Sequence, residues 1–423
     1  MGRALLFALL FCGSAAAGEP LAWLGVTEIA TGGGERGPWQ QNDSRYDFVD
    51  DPTVAIDERG NILVAWVDQA KKDVFFERRG PDASPRGEPL NISRTRETFS
   101  WLPRIALAPR DPQRIFVLWQ EIIFSGGTHG GDILFARSED GGASFAPPVN
   151  LSRSRAGDGK GRLSRDLWHN GSLDLAAGAD GAVYAAWTEY EGALWLSVSS
   201  DGGRTFSPPR HIAGDNQRPA RAPALAIGPD RTLYLAWTVG EDRAADIRIA
   251  RSTDGGASFG EPRVVARTRE YSDAPKLAFD RRGTLHLAFG EGNRIAYTRS
   301  SDGARSFEPL RLVSAAGAGF PSLATDAQGG VYVLWELLPN PQRRSRGLGI
   351  AVSRDEGASF SAPASVPQSA DARGGWNGSS QGLLMRKLAV SPRGDIVIAN
   401  SSLREGEASR VWLIRARNSP SGS

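Results

Sequence analysis

Thiol chemistry is the first thing this sequence excludes. Its 423 residues include one cysteine, Cys12. That residue lies in a segment that reads as a secretory signal. Arg3 supplies the basic start, Ala4 to Phe11 a short apolar core, and Ser14-Ala15-Ala16-Ala17 a small-residue cleavage site, with cleavage expected after Ala17. Phe11 before Cys12 argues against a lipid anchor there, where a small residue is needed. The mature chain, 18–423, is then expected to be one domain, secreted or periplasmic, without a disulfide or a cysteine-ligated metal. The apolar core of the signal is too short to cross a bilayer and no other run approaches that length, so no membrane span is expected. Histidine is scarce as well: His129, His169, His211 and His286 are the four, and their spacing is not that of metal ligands. No metal and no cofactor is expected. An excess of one charge is also lacking. Fifty Lys and Arg face 48 Asp and Glu, a net +2, which argues against a dedicated nucleic-acid binder. The loop Ser125 to Asp132 is rich in glycine but lacks the lysine and following helix of a phosphate-binding loop. A monomer is expected.

Turn formers are plentiful, with 50 Gly and 26 Pro. Five stretches repeat the pattern Ser-x-Asp-x-Gly-x-(Ser/Thr)-Phe: Ser138 to Phe145, Ser199 to Phe206, Ser252 to Phe259, Ser300 to Phe307 and Ser353 to Phe360. The carboxylate of such a turn accepts backbone N–H groups, the glycine takes the positive φ, and the phenylalanine buries its ring. The phenylalanines recur every 48 to 61 residues, which is the signature of a repeat architecture.

Short strands bounded by turns fill each repeat. The second strand of the repeat recurs seven times: Ile62 to Trp66, Arg114 to Trp119, Ala182 to Trp187, Thr232 to Trp237, Thr284 to Phe289, Val331 to Trp335 and Asp395 to Asn400. Prolines near the fourth strands, such as Pro147-Pro148 and Pro208-Pro209, suit an outer edge, where a missing N–H is tolerated. The last repeat has three strands, and Leu21 to Thr31 resembles a fourth. The chain is therefore expected to be all-β: a seven-bladed β-propeller of four-stranded antiparallel blades, its ring closed by the N-terminal strand. Six blades plus a hairpin is the alternative. Aligned on the second-strand aromatic, the first strands carry Ala55, Ala106, Ala176, Ala226, Ala278, Ala324 and Ala389 at one register. Alanine is depleted in strands, so a crowded axis is the reason to expect it there.

The five turns resemble the Asp box, or BNR repeat, of the sialidase superfamily. Two copies depart from it, with Ala304 and Glu356 in place of glycine. The resemblance implies a propeller and places the boxes away from the active site. It also implies where chemistry would sit: three arginines on a substrate carboxylate, a Tyr nucleophile helped by a Glu, and an Asp acid. Tyr271 and Glu189 are the candidates for that pair, with Asp47, Asp50 or Asp51 as acid. The Arg-Ile-Pro-type motif is not found; Trp101-Leu102-Pro103-Arg104-Ile105 inverts it. Lysines stand where other clamp arginines belong, and Lys lacks the planar fork. These departures count against sialidase catalysis.

Strand alternation places a second row two residues before the alanines: Thr53, Arg104, Asp174, Ala224, Lys276, Ser322 and Lys387. Arg104, Lys276 and Lys387 there would favour an anion at the channel mouth; the other reading is that they pair with Asp174. Above them the entry loops carry Trp101, Trp168, His169, Trp376 and Asn377, either platforms for sugar rings or plugs between blades. The function expected is binding of an anionic or glycan ligand at the mouth. A sialidase-like glycoside hydrolase and a non-catalytic protein-interaction scaffold are the alternatives.

Overall fold

The computed structural model describes residues 21–38, 40, 42–95, 97–121, 132–152, 172–189, 192–240, 245–268, 270–339, 344–378 and 384–419. The expected signal segment, Trp168 and His169 lie outside them. The described strands form seven four-stranded antiparallel sheets. In the first blade the strands are Val49–Ile56, Ile62–Asp68, Asp73–Arg79 and Leu90–Asn91, paired in chain order. Five more blades repeat that order. The seventh is built from Leu388–Val390, Asp395–Arg404 and Ala408–Asn418, and its outer strand is the N-terminal Leu21–Gly32. Each first strand touches the first strands of both neighbouring blades, and the seventh touches the first. The protein is a seven-bladed β-propeller.

Seven apolar clusters hold the ring, one at each interface between blades. Because each blade is covered on both faces, its middle strands read as nearly continuous apolar runs. Trp119, Trp187, Trp237 and Trp412 are fully buried in these interfaces. A buried indole removes roughly 200 Å² from water, a gross gain of about 5 kcal/mol. An exposed ion pair such as Arg204–Glu139 contributes at most about 1 kcal/mol. Apolar packing between blades therefore dominates the stability of the ring.

The repeated turns join third to fourth strands, on the face away from the first-strand entry. In the first of them the Ser138 hydroxyl donates to Asp140 at 2.7 Å, the Gly142 N–H donates to Ser138 Oγ at 2.8 Å, and the Ser144 N–H donates to Asp140 at 2.9 Å. The other four turns repeat these contacts. Ala304 and Glu356 keep φ values of 61° and 60°, so the turn imposes the left-handed conformation where glycine is missing. The Ser258 and Ser252 hydroxyls hold the Asp254 carboxyl down to about 2. Stability from such a depressed carboxylate is present above the ordinary value near pH 4 and is lost as pH falls through about 2.

Each turn also staples its blade to the preceding one. The Phe145 ring meets Phe76 of the first blade edge-on at 4.9 Å, and Phe206 meets Phe135 at 4.8 Å. Arginines near the outer strands reach across in the same sense: Arg94 donates to the Phe145 carbonyl at 3.2 Å, and Arg263 to the Arg305 carbonyl at 3.1 Å. The prolines near the outer edge do not sit in the ladder. They come just before two-residue strands such as Val149–Asn150 and Arg263–Val264, because pairing begins where N–H groups resume.

The seven alanines share one register. Ala55 faces Leu63, Ala106 faces Phe116 and Ala389 faces Val397, with the other four likewise. Toward the mouth the two-residue alternation breaks. Five first strands shift register just before the charged row, at Asp50/Thr53, Trp101/Arg104, Arg221/Ala224, Asp273/Lys276 and Gly319/Ser322. In each, a non-glycine residue with φ near +50° precedes a proline: Asp51, Leu102, Ala222, Ala274 and Phe320. Proline removes the N–H that the ladder would need and disfavours the right-handed helical region for its predecessor. The result is a β-bulge that re-aims the side chains beyond it.

Phe145→Ala should lower unfolding free energy by about 3 kcal/mol or more, as a buried ring is lost at a blade interface. Equilibrium denaturation in urea would measure it; a change below about 1 kcal/mol would show that the staple carries little.

Candidate functional site

The mouth of the channel is filled by the chain itself. The segment Leu384-Met385-Arg386, leading into the last blade, is gripped by five other blades. Thr53 and the Val54 N–H reach the Arg386 carbonyl at 3.4 and 3.1 Å. Arg104 donates to the Leu384 carbonyl at 3.0 Å and contacts the Met385 sulfur. Lys276 approaches the same Leu384 carbonyl at 3.5 Å, and Ser322 the Met385 carbonyl at 3.5 Å. The Arg386 guanidinium completes the set with Asp174 at 2.7 Å and the Leu175 carbonyl at 3.0 Å.

This occupancy changes the reading of the charged row. Arg104 is 2% exposed, and burial brings its guanidinium down to about 10. Asp174 is an internal partner, paired with Arg386 and accepting the Leu225 N–H at 2.8 Å. Lys387 turns away from the axis into the interface of the last two blades, where its ammonium meets Glu336 at 2.6 Å and Asn400 at 2.9 Å. The expected ring of three open cations is therefore corrected. Lys276 remains half-buried with a single long contact among the described residues, and Arg386 takes the place of its neighbour Lys387 at the axis. Burial first, and the charge of Arg104 next, bring the Lys276 ammonium down to about 7.

The entry-loop aromatics divide. Trp101 is 6% exposed and packs with Phe99, Leu102 and Met385, so it is a plug between blades rather than an open platform. Asn377 is likewise buried, and its amide N–H groups donate to Glu336, Ser345 and the Gly347 carbonyl. Trp376 is half-buried on the mouth face, with the Arg344 guanidinium 5.0 Å from its ring centre. Among the candidate acids, Asp50 and Asp51 are fully buried, Asp50 accepting the Ser401 hydroxyl. Asp47 accepts the Glu35 N–H. Glu121 is fully buried too, and burial pushes its carboxyl up to about 7.

Tyr271 and Glu189 belong to different blades. Glu189 follows the second strand of the third blade, whereas Tyr271 enters the fifth, and no hydrogen bond joins them among the described residues. Tyr271 instead belongs to a network that the sequence reading missed. Its hydroxyl accepts from Arg221 and donates to Asp273 Oδ2 at 3.2 Å. The Arg221 guanidinium also lies over the Tyr271 ring at 5.3 Å. Thr238 donates to Asp273 Oδ1 at 2.9 Å. Burial and the nearby Asp273 charge raise the Tyr271 phenol well above its ordinary value, so it stays protonated and serves as a donor. Arg221 and Asp273 escaped the sequence reading because both precede a bulge, where strict alternation stops. The repeated residue-proline pairs were the available signal.

This network forms one end of a cleft of about 380 Å³ between the fifth and sixth blades. Gly290, Gly292, Gly317 and Gly319 line it, with Phe320, Leu338 and Pro339. A Cβ added at Gly319 would lie 2.9 Å from Leu338 Cδ1, so the absence of a side chain keeps the wall open. Asp273 also acts on Lys276 electrostatically, which links the cleft to the axial cations.

No protein-family model matches the sequence, and no curated protein is similar to it at a significant level. The fold has structural counterparts. Polysaccharide lyase Uly1 superposes with a TM-score of 0.55 and 11% identity, over 94% of this chain and 99% of that one. A PL25 ulvan lyase bound to -[GlcA(1-4)Rha3S]- gives 0.53 and 12%, over 91% and 95%. Penicillium chrysogenum alpha-L-arabinanase complexed with arabinobiose gives 0.51 and 11%, over 78% and 99%. Sialidases also occur among the similar structures, at TM-scores of 0.48 and 0.46. At these identities the likeness is one of fold.

Lys387→Met should cost about 3 kcal/mol or more, because it strands the buried Glu336 carboxylate. Adding Glu336→Gln should recover part of the loss, which a urea-denaturation double-mutant cycle would read; additive losses would refute the coupling.

Proposed function

We propose that the mouth of this propeller binds an anionic glycan. The sugar ring lies in the cleft between the fifth and sixth blades, and its carboxylate or sulfate is directed toward Lys276 and Arg386. The observation that carries this reading is the state of Lys276. Among the described residues its three donors have one hydrogen bond, at 3.5 Å, beside Arg104 and Arg386, and of the two carboxylates that act on it, Asp174 and Asp273, the second lines the glycine-walled cleft. An anion would supply the missing acceptors and the compensating charge. The Tyr271 hydroxyl, locked between Arg221 and Asp273, offers an oriented polar edge, and Phe320 an apolar one, a mix suited to a ring with two unlike faces. The fold counterparts named above act on or carry glycans, and one is bound to a glucuronate-containing sulfated sugar, which supports the ligand class. No catalytic role is assigned to Tyr271, since a phenol held protonated is a poor nucleophile.

The same reading places the protein outside the cytoplasm after removal of residues 1–17. The exported protein should then begin at Gly18, which intact-mass measurement would check; a mass that includes the first 17 residues would refute it.

Lys276 is uncharged above pH of about 7, so affinity for an anion should fall as pH rises through that value. Binding restores the charge, so at pH 8 it should take up about one proton. Calorimetry with uronate and sulfated disaccharides, in buffers of different ionisation enthalpy, would read both effects. Lys276→Met should abolish the proton uptake and weaken binding. PH-independent binding that survives Lys276→Met would sink the proposal.

A further inference from the structure

A second cleft, of about 300 Å³, opens on the same mouth face at the seventh blade. Its charged lining is Arg373, Arg404 and Arg410 against Asp371 and Glu28, an excess of one positive charge. Asp371 is buried and already accepts the Ser402 hydroxyl at 2.9 Å and the Arg373 N–H at 3.0 Å. The guanidiniums of Arg404 and Arg410 stand 3.7 and 3.8 Å from it. Those separations exceed the 2.7–2.9 Å typical of a charge-assisted hydrogen bond, so one carboxylate is shared loosely by two arginines. Arg404 also meets Glu407 at 2.5 Å, while the exposed Arg373 guanidinium has no ion-pair partner among the described residues.

The described ends of one connection, between the second and third strands of the sixth blade, reach both clefts. Leu338 and Pro339, at its start, wall the first cleft. Arg346, at its end, donates to the Asp371 carbonyl at 3.3 Å beside the second. Between them Arg344 lies over the half-exposed Trp376 ring. A ring-sized cleft, an aromatic platform and an arginine-lined cleft thus follow one another across the mouth.

Building on the glycan reading above, we infer that the second cleft is a subsite for another anionic group on the same ligand, which is therefore an extended acidic polysaccharide rather than a single terminal sugar. A carboxylate or sulfate there accepts from Arg373 and from the underused faces of Arg404 and Arg410. A nucleic acid is the less favoured polyanion, because the arginines are confined to one cleft and acidic groups lie among them.

The test compares a polyuronate disaccharide with a decasaccharide by calorimetry on the mature chain. The decasaccharide should bind more tightly. Arg373→Glu, an exposed change expected to leave folding intact, should weaken the decasaccharide about tenfold and leave the disaccharide unaffected. Equal affinity for both lengths, or a decasaccharide indifferent to Arg373→Glu, overturns this inference and leaves the first-cleft reading standing if the disaccharide still depends on Lys276. Binding of a single-stranded oligonucleotide as tightly as the decasaccharide also overturns it. Failure of the wild-type protein to bind either length removes the glycan reading, and this inference with it.

Discussion

Seven inner strands converge on one axis, so every side chain on their inner face competes for the same narrow volume. Small side chains relieve that crowding: seven alanines stand at one register, five of them packed into the interfaces between blades. Two residues nearer the mouth, the same strands carry larger groups, Arg104, Asp174 and Lys276 among them. Arg104 and Lys276 there need acceptors, and the Leu384 carbonyl serves both, while the Met385 and Arg386 carbonyls accept from Ser322 and Thr53. The segment entering the last blade therefore does two jobs. It occupies the axis at the mouth, and its carbonyls solvate part of a cation cluster that would otherwise repel itself.

The bulges are a second feature that the first strands share. Five first strands place a left-handed residue before a proline at the same point. Such a residue costs about 1–2 kcal/mol, and its repetition means that the geometry it creates is required. What it creates is a change of aim. Arg221 and Asp273, on either side of Tyr271, are turned toward the rim of the cleft instead of into the channel. The rim therefore has rigid donors built on strands, backed by Thr238, and the loops above them contribute mostly glycine backbone.

The two faces are organised by opposite principles. Away from the mouth, serine and aspartate side chains satisfy one another within five short turns, and phenylalanines staple neighbouring blades. Polar groups there are internally paired and offer little to a partner. At the mouth the pairing is incomplete. Among the described residues Lys276 has one long contact, and Asp371 serves two arginines at nearly 4 Å. Incomplete pairing of charge beside an open cleft is the physical basis for placing ligand recognition on this face.

Much of the architecture is written locally and was legible in the residues alone. A turn pattern repeated five times, an aromatic at the end of six second strands, and alanine at one register are each dictated by neighbours in sequence or by a repeated contact. Blade count and closure by Leu21–Gly32 follow from them. The charged row was legible as a row, yet the directions of its side chains were not. Lys387 and Lys276 occupy equivalent positions, but Glu336 and Asn400 draw the first into a blade interface while the second stays at the axis. Trp101 and Trp376 both sit in entry segments, but only the first is covered by Met385 and Phe99. Repetition in the sequence determined where each strand runs. Contacts between blades far apart in the chain decided which of its side chains remain free, because a charge near the axis pairs with whatever the other blades bring within reach.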